Sequence, residues 1–190
     1  MNTTISPALA IVLAAIVIIV LLATIAFIWW RERRSKQLRS RFGQEYLRTL
    51  EEIGSRHEAE ARLHRLEKRV ESFSIRALPP EEKARYAASW RKVQADFVDS
   101  PGEALNRADE LLGSVMKARG YPVSDFEQRS ADLSVDHAAV VQNYRAAHDI
   151  ALRHKRGEAD TEALRQAMIH YRALFAELVD ETDEARAKAS

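Results

Sequence analysis

The stretch ALAIVLAAIVIIVLLATIAFIWW, residues 8–30, determines how the rest of the chain must be arranged. Thr24 is its one polar residue, and no charged residue occurs between Met1 and Trp30. As an α-helix it would be about 35 Å long, enough to cross a hydrocarbon core of about 30 Å. The sequence therefore predicts one N-terminal transmembrane helix within residues 1–30, with the lipid bilayer as a partner.

The flanks of this stretch predict its orientation. A cleaved signal peptide carries its positive charges before a short apolar core. Here the cationic residues follow the stretch instead, with only Glu32 among them. The positive-inside rule and the interfacial preference of tryptophan then place the N-terminus outside and everything after Arg31 in the cytoplasm. The residues expected at the membrane interface are Trp29, Trp30, Arg31, Arg33, Arg34 and Lys36.

Charge is distributed unevenly over the remaining residues. Residues 31–78 hold 13 Lys/Arg and 8 Asp/Glu, a net charge of +5, whereas residues 79–190 carry a net charge of −4. The basic flank from Arg31 to Arg41 either only sets topology, which we favour, or also binds anionic lipid. The acidic distal half argues against a nucleic-acid partner, since nucleic acids need a basic face. The absence of cysteine is compatible with a reducing compartment.

Apolar residues recur at helical spacing after residue 35, and no segment alternates with the period of a strand. The sequence therefore predicts an all-α fold. We expect a juxtamembrane helical stalk over residues 31–78, a bundle of about five helices over residues 79–180, and a polar tail over residues 181–190. The sequence leaves open whether residues 35–73 stand off as the stalk or fold back onto the bundle. Pro79 and Pro80 separate stalk and bundle, because proline excludes the helical conformation at the preceding residue. Further boundaries are predicted at Gly54-Ser55, Ser100-Pro101, Gly120, Ser124, Ser134 and Asp160-Thr161.

A short apolar seam is the strongest candidate for an interaction surface. Its members are spaced 4, 3, 4 and 3 residues apart on a heavily charged helix: Ala59, Leu63, Leu66, Val70 and Phe73. This is the spacing of a coiled coil, but it lasts only about two heptads. The seam either pairs with a second copy or lies against the later bundle. If it pairs, Leu63→Glu or Leu66→Glu should weaken association and leave the bundle folded.

A second candidate is a polar pocket in the region 125–148. His137, Tyr144 and His148 would share one face of a helix and could line a site with an imidazole and a phenol. His137 and His148 would lie about 16 Å apart along such a helix, so they could not share a metal ion. The nearby acidic residues are also explained by first-turn positions and ion pairs. We therefore prefer the interpretation in which these polar residues stabilise the helices over the one in which they form a catalytic or binding site.

Known catalytic and cofactor motifs are missing from the sequence. It contains no phosphate-binding glycine loop, no nucleophile elbow, and no zinc or EF-hand spacing. We therefore assign no catalytic, cofactor-binding or metal-binding residue and expect no cofactor.

Seven short segments between residues 41 and 168 form a pattern that is known from other proteins. They are 41–46, 97–99, 119–122, 125–129, 134–137, 143–145 and 165–168. With them the chain resembles an uncharacterised family of short bacterial single-pass membrane proteins. The resemblance covers roughly residues 31–178 and implies a bacterial inner-membrane protein with a cytoplasmic helical domain. It implies no activity.

The sequence thus favours a non-enzymatic, membrane-anchored scaffold that binds an unknown protein partner or itself. The alternative is a small-ligand-binding or catalytic pocket in the region 125–148.

Overall fold

The computed structural model describes residues 7–180, with the side chains of 7–15, 17 and 31 excepted. Over that range the chain forms α-helices and no strand, which confirms the all-α prediction. The predicted polar tail, residues 181–190, lies outside the described residues. The helices are α1 (Pro7–Phe42), α2 (Gln44–Ile53), α3 (Arg56–Glu71), α4 (Pro80–Asp99), α5 (Pro101–Arg119), α6 (Phe126–Asp136), α7 (Ala138–Lys155) and α8 (Thr161–Asp180).

The chain divides into two units, Met1–Ser40 and Arg41–Ser190. The first unit holds most of α1. Among the residues that the structure describes, no helix contains an apolar segment long enough to span a bilayer. The predicted span, residues 8–30, lies in part outside the described residues, because the side chains of 8–15 and 17 are among those excepted.

The second unit begins well before the boundary predicted at Pro79. Helix α3 packs against α2 and α6, so residues 41–78 belong to the same compact unit as the bundle. Of the two arrangements that the sequence left open for this region, a stalk or packing on the bundle, residues 41–73 have the second. The physical reason is that the apolar face of α3 is too narrow to stand alone in water and gains by burial against its neighbours.

The centre of this unit is formed by α4, α5, α7 and α8, with α6 laid across α7 and α3. The Trp90 ring of α4 stacks on the Phe175 ring of α8 with centroids 4.7 Å apart. The buried alanines of the central helices, Ala108, Ala147 and Ala167, have no exposed surface and allow close approach of the backbones. The five helices expected after Pro79 are confirmed as α4–α8.

Most predicted helix ends agree with the structure. Ser55 caps α3 by accepting a hydrogen bond from the backbone N–H of Glu58. Pro80 and Pro101 occupy the first helical positions of α4 and α5. Gly120 ends α5 in the left-handed conformation at φ +99°. Gly43, at φ +50°, adds a break that the apolar periodicity did not predict.

At three of the predicted boundaries the serine side chain does not cap a helix. Ser100 makes no side-chain capping bond, and Asp125 rather than Ser124 caps α6 by accepting from the N–H of Gln128. Ser134 lies inside α6, where its hydroxyl donates to the carbonyl of Ala131. A serine hydroxyl can satisfy itself in this way within a helix, so the residue type alone does not define a boundary. The break between α6 and α7 occurs at His137.

Candidate functional site

A partly buried polar centre joins α5, α6 and α7 at Asp109. The Tyr144 hydroxyl donates to Asp109 Oδ1 at 3.0 Å, and Arg129 Nη2 donates to Asp109 Oδ2 at 3.4 Å. The Tyr144 side chain is fully buried. Burial, and then the negative charge of Asp109, raise the pKa of Tyr144 above its ordinary value of 10.0. Tyr144 is therefore a neutral hydrogen-bond donor and not a base.

His148 lies one helical turn beyond Tyr144 and belongs to the same group. Its ring stacks on Phe126 of α6 with centroids 3.5 Å apart, and Phe126 also contacts the Tyr144 ring at 4.9 Å. Burial lowers the pKa of His148, although the Asp109 carboxylate acts in the opposite direction. Tyr144 and His148 thus meet around Phe126.

His137, the third residue of the predicted pocket, faces a different neighbour. It lies at the junction of α6 and α7, where it belongs to neither helix. Its Nδ1 atom is 3.5 Å from Glu177 Oε1 on α8. Tyr144 and His148 instead face α5 and α6. The helix break at His137 removes the shared face that a continuous helix would have given to all three residues.

Asp109 is the central group of the site, and the sequence analysis did not predict it. Its neighbours in the sequence are Ala108 and Glu110, and the pattern of this stretch is typical of an ordinary charged helix surface. One signal was available in Gly113, four residues later. A Cβ at Gly113 would lie 3.0 Å from Arg129 Nη1, so the missing side chain lets the guanidinium lie against α5 and reach Asp109.

A surface groove of about 510 Å³ opens beside this polar centre. It runs between α5 and the segment that leads into α6. Its polar lining includes Asp109, Arg129 and Ser124, and its apolar lining includes Met116 and Val123. The volume is within the range of small-molecule pockets, about 300–1,000 Å³.

The predicted interaction seam is used inside the chain. Ala59, Leu63 and Val70 are buried, and Leu66 is partly covered. Phe73 meets the edge of the Tyr121 ring, with centroids 6.5 Å apart. Of the two arrangements that the sequence left open, the structure has the one in which the seam lies against the rest of its own unit.

The residues predicted for the membrane interface form cation–aromatic pairs along α1. The Arg33 guanidinium lies 3.8 Å from the centroid of the Trp29 ring, and Arg34 lies 5.3 Å from that of Trp30. Lys36 pairs with Glu32 at 3.9 Å. The Arg31 side chain lies outside the described residues. These pairs hold the guanidinium groups over the aromatic faces.

No set of three or more potential ligands that could hold a metal ion occurs among the residues that the structure describes.

Acidification should reveal the environment of His148. A histidine whose pKa is lowered by folding keeps its stabilising contribution above its unfolded value, 6.5, and loses it as the pH falls. The unfolded chain then takes up a proton that the folded chain resists. We therefore expect the free energy of unfolding to decrease between pH 7.5 and pH 5.5, and to decrease less in His148→Gln.

Urea denaturation at both pH values would measure this difference. His57→Gln, at an exposed position of α3, is the matched control and should behave like the parent chain. A His148→Gln chain with the same loss of stability on acidification as the parent would contradict the prediction.

No family model, curated protein or solved structure matches this chain. The resemblance to an uncharacterised bacterial membrane family therefore stays a prediction, and the function must be argued from the residues themselves.

Proposed function

We propose that the protein is a membrane-anchored helical scaffold of a bacterial inner membrane. Residues 8–30 would cross the bilayer with the N-terminus outside, and residues 41–180 would bind a protein partner on the cytoplasmic side. The observation that carries this proposal is the exposure of apolar side chains around the whole circumference of α1 between Ile18 and Trp30.

The side chains of Ile18, Ile19, Val20 and Leu21 are between 55% and 64% exposed. Successive residues of an α-helix point about 100° apart, so these four positions together cover every side of α1. The same exposure continues to Trp30. A helix that is apolar all round needs an apolar environment, and lipid supplies one to all its sides at once.

The cationic flank supports the orientation. Trp29 and Trp30 end the apolar stretch, and the arginines stacked on them, Arg33 and Arg34, follow within one turn. Aromatic rings prefer the headgroup region, and cationic residues are retained on the cytoplasmic side. Anionic headgroups would add an attraction of about 1 kcal/mol for each cation near the surface.

The second unit has the features of a rigid platform. Partly or fully buried ion pairs join helices that are distant in sequence, such as Arg145 with Glu45 at 2.9 Å and Arg69 with Asp132 at 3.0 Å. These charged groups hold helices together. Because the seam of α3 is covered by the same chain, we favour a different protein over a second copy as the partner.

Single cysteines would test the anchor and its orientation together, because the natural chain contains none. Asn2→Cys should react with a membrane-impermeant maleimide in intact spheroplasts of a bacterial host. Asn106→Cys, at an exposed position of α5, should react only after permeabilisation. Labelling of both or of neither in intact spheroplasts would contradict the proposed topology.

A charged variant distinguishes lipid anchoring from other causes of this labelling pattern. Two charges near the centre of the span, Ile19→Asp with Leu22→Asp, should cost about 5 kcal/mol of insertion and abolish labelling of Asn2→Cys. Gln37→Asp with Ser40→Asp has the same charge and spacing at exposed positions beyond the apolar stretch, and should leave the labelling unchanged. Equal effects of the two pairs would count against the anchor.

The groove beside Asp109 favours a second candidate function, the binding of a small molecule. This candidate does not depend on the membrane anchor.

A further inference from the structure

The groove between α5 and the segment leading into α6 is lined by residues that carry unpaired hydrogen-bond donors. Neither Arg129 Nε nor Ser124 Oγ has a hydrogen-bond partner among the described residues, although both atoms are buried. Unpaired buried polar atoms are uncommon in folded proteins and call for an explanation. Here two of them belong to residues that line one groove.

The acceptors in the groove are largely occupied. Both oxygens of Asp109 accept hydrogen bonds, one from Tyr144 and one from Arg129. Glu110 is shared with a neighbouring groove between α4 and α5, which Lys92 and Arg107 also line. Lys117 stands exposed at the rim. The groove therefore offers Arg129, Ser124 and Lys117 as donors, whereas its carboxylates are Glu110 and Asp109, of which Asp109 is already held by Tyr144 and Arg129.

The donors favour a singly charged oxygen acid. An arginine binds a carboxylate through its planar N–H groups, and a lysine and a hydroxyl can complete the shell. A doubly charged phosphate is disfavoured, because the carboxylates of Asp109 and Glu110 lie in the same lining.

The rest of the lining is apolar and suits a short hydrocarbon tail. Met116 and Pro122 line the groove together with Val123, which is 81% exposed. Covering such an exposed apolar side chain with an apolar group lowers the free energy, because it removes apolar surface from water. The volume of about 510 Å³ accommodates a branched acid of a few carbon atoms.

We propose that this groove is a binding site for a small aliphatic monocarboxylate. Arg129, Ser124 and Lys117 hold the carboxylate, and Met116, Pro122 and Val123 cover its tail. The Asp109–Tyr144 hydrogen bond fixes the carboxylate of Asp109 and thereby the position of the Arg129 guanidinium.

Methionine methyl groups would report binding in the full chain. The sequence contains three methionines, of which Met116 is a core residue that also lines the groove and Met168 is a core residue that does not line it. With ¹³C-methyl methionine and the chain held in a mild detergent, 3-methylbutanoate should shift the Met116 signal in a saturable way. Met168 should stay in place. The isosteric probes 3-methylbutan-1-ol and 3-methylbutylammonium should bind at least about tenfold more weakly, because the alcohol carries no charge and the ammonium group would face the cations Arg129 and Lys117.

Variants with little influence on folding would locate the carboxylate. Ser124→Ala and Lys117→Gln should each weaken the binding of 3-methylbutanoate by about fivefold to tenfold. Lys68→Gln, an exposed lysine of α3, is the matched control and should bind as the parent chain does.

Four results would overturn the inference, and the first three concern the groove itself. They are a Met116 signal that does not shift, equal shifts with the alcohol or the amine, and unchanged binding in both groove variants. A Met168 shift that follows the Met116 shift would show nonspecific uptake and would also overturn it. Since all of these signals come from the second unit, none of the results depends on membrane insertion.

Discussion

Replacing Gly120 by alanine should lower the free energy of unfolding by about 3 kcal/mol or more. Gly120 ends α5 at φ +99°, in the left-handed region that residues with a side chain rarely adopt. A Cβ there would also lie 2.4 Å from the carbonyl oxygen of Ser74. That distance is far shorter than van der Waals contact, so one of the two backbones would have to move.

The segment that carries Ser74 is held in place by the same helix end. The backbone N–H of Arg76 donates to the carbonyl of Arg119 at 2.8 Å, and Arg119 Nε donates to the carbonyl of Arg76 at 3.3 Å. The guanidinium of Arg119 is 1% exposed and also reaches the carbonyl of Leu178 at 3.1 Å, at the end of α8. Displacing Ser74 would therefore disturb three backbone segments together.

Urea denaturation of the full chain, followed by near-ultraviolet circular dichroism, would measure the effect. Gly54→Ala is the matched control, since Gly54 also ends a helix, at φ +72°, but a Cβ there would meet nothing within 4 Å. Gly54→Ala should lower the free energy of unfolding by about 1 kcal/mol, because only the left-handed backbone conformation disfavours a side chain there. Similar losses in the two variants would show that the approach of Ser74 is not what restricts residue 120.

The second large effect is expected for Leu63→Glu. Leu63 is 1% exposed on the face of α3 that packs against the rest of the second unit. A carboxylate there would be buried without a partner, so the variant should lose about 3 kcal/mol or more of folding free energy. This reverses the expectation from the heptad spacing, in which Leu63→Glu weakens association and leaves the bundle folded.

Substitutions at two neighbouring positions of α3 serve as comparisons for Leu63→Glu. Arg65→Glu changes an exposed residue of the same helix and should alter stability by less than about 0.5 kcal/mol. Leu66 is only partly covered, so Leu66→Glu should lie between the two. Light scattering across a concentration series, combined with thermal unfolding, distinguishes the two interpretations. A Leu63→Glu chain that stays folded while a dimer separates would favour the seam as an interface between copies.

Local signals in the sequence predicted the helices better than they predicted the packing. Proline at a first helical position and glycine just beyond a helix end act through the backbone of one or two residues, so Pro80, Pro101 and Gly120 could be placed in advance. Serine was a weaker guide. Ser134 satisfies its hydroxyl within α6, and Asp125 rather than Ser124 caps the same helix at its start.

The candidate site depends on contacts between residues far apart in the chain. Tyr144 lies 35 positions from Asp109, and Arg129 lies 20 positions from it. Periodicity identifies which face of a helix is apolar, but it does not state which polar group of another helix that face will meet. Tyr144 and His148 were found from their spacing, whereas Asp109 and the groove beside it were not.

The sequence by itself determined the helical class, the number of helices after Pro79 and most of their ends, because helical periodicity and backbone preference are properties of neighbouring residues. The tertiary structure decided that α3 lies against its own chain, that His137 faces α8, and that Asp109 collects Tyr144 and Arg129. These outcomes depend on which of several similar apolar faces meet. That choice is made by side-chain volumes and buried polar pairs across the whole core, which no short stretch of sequence contains.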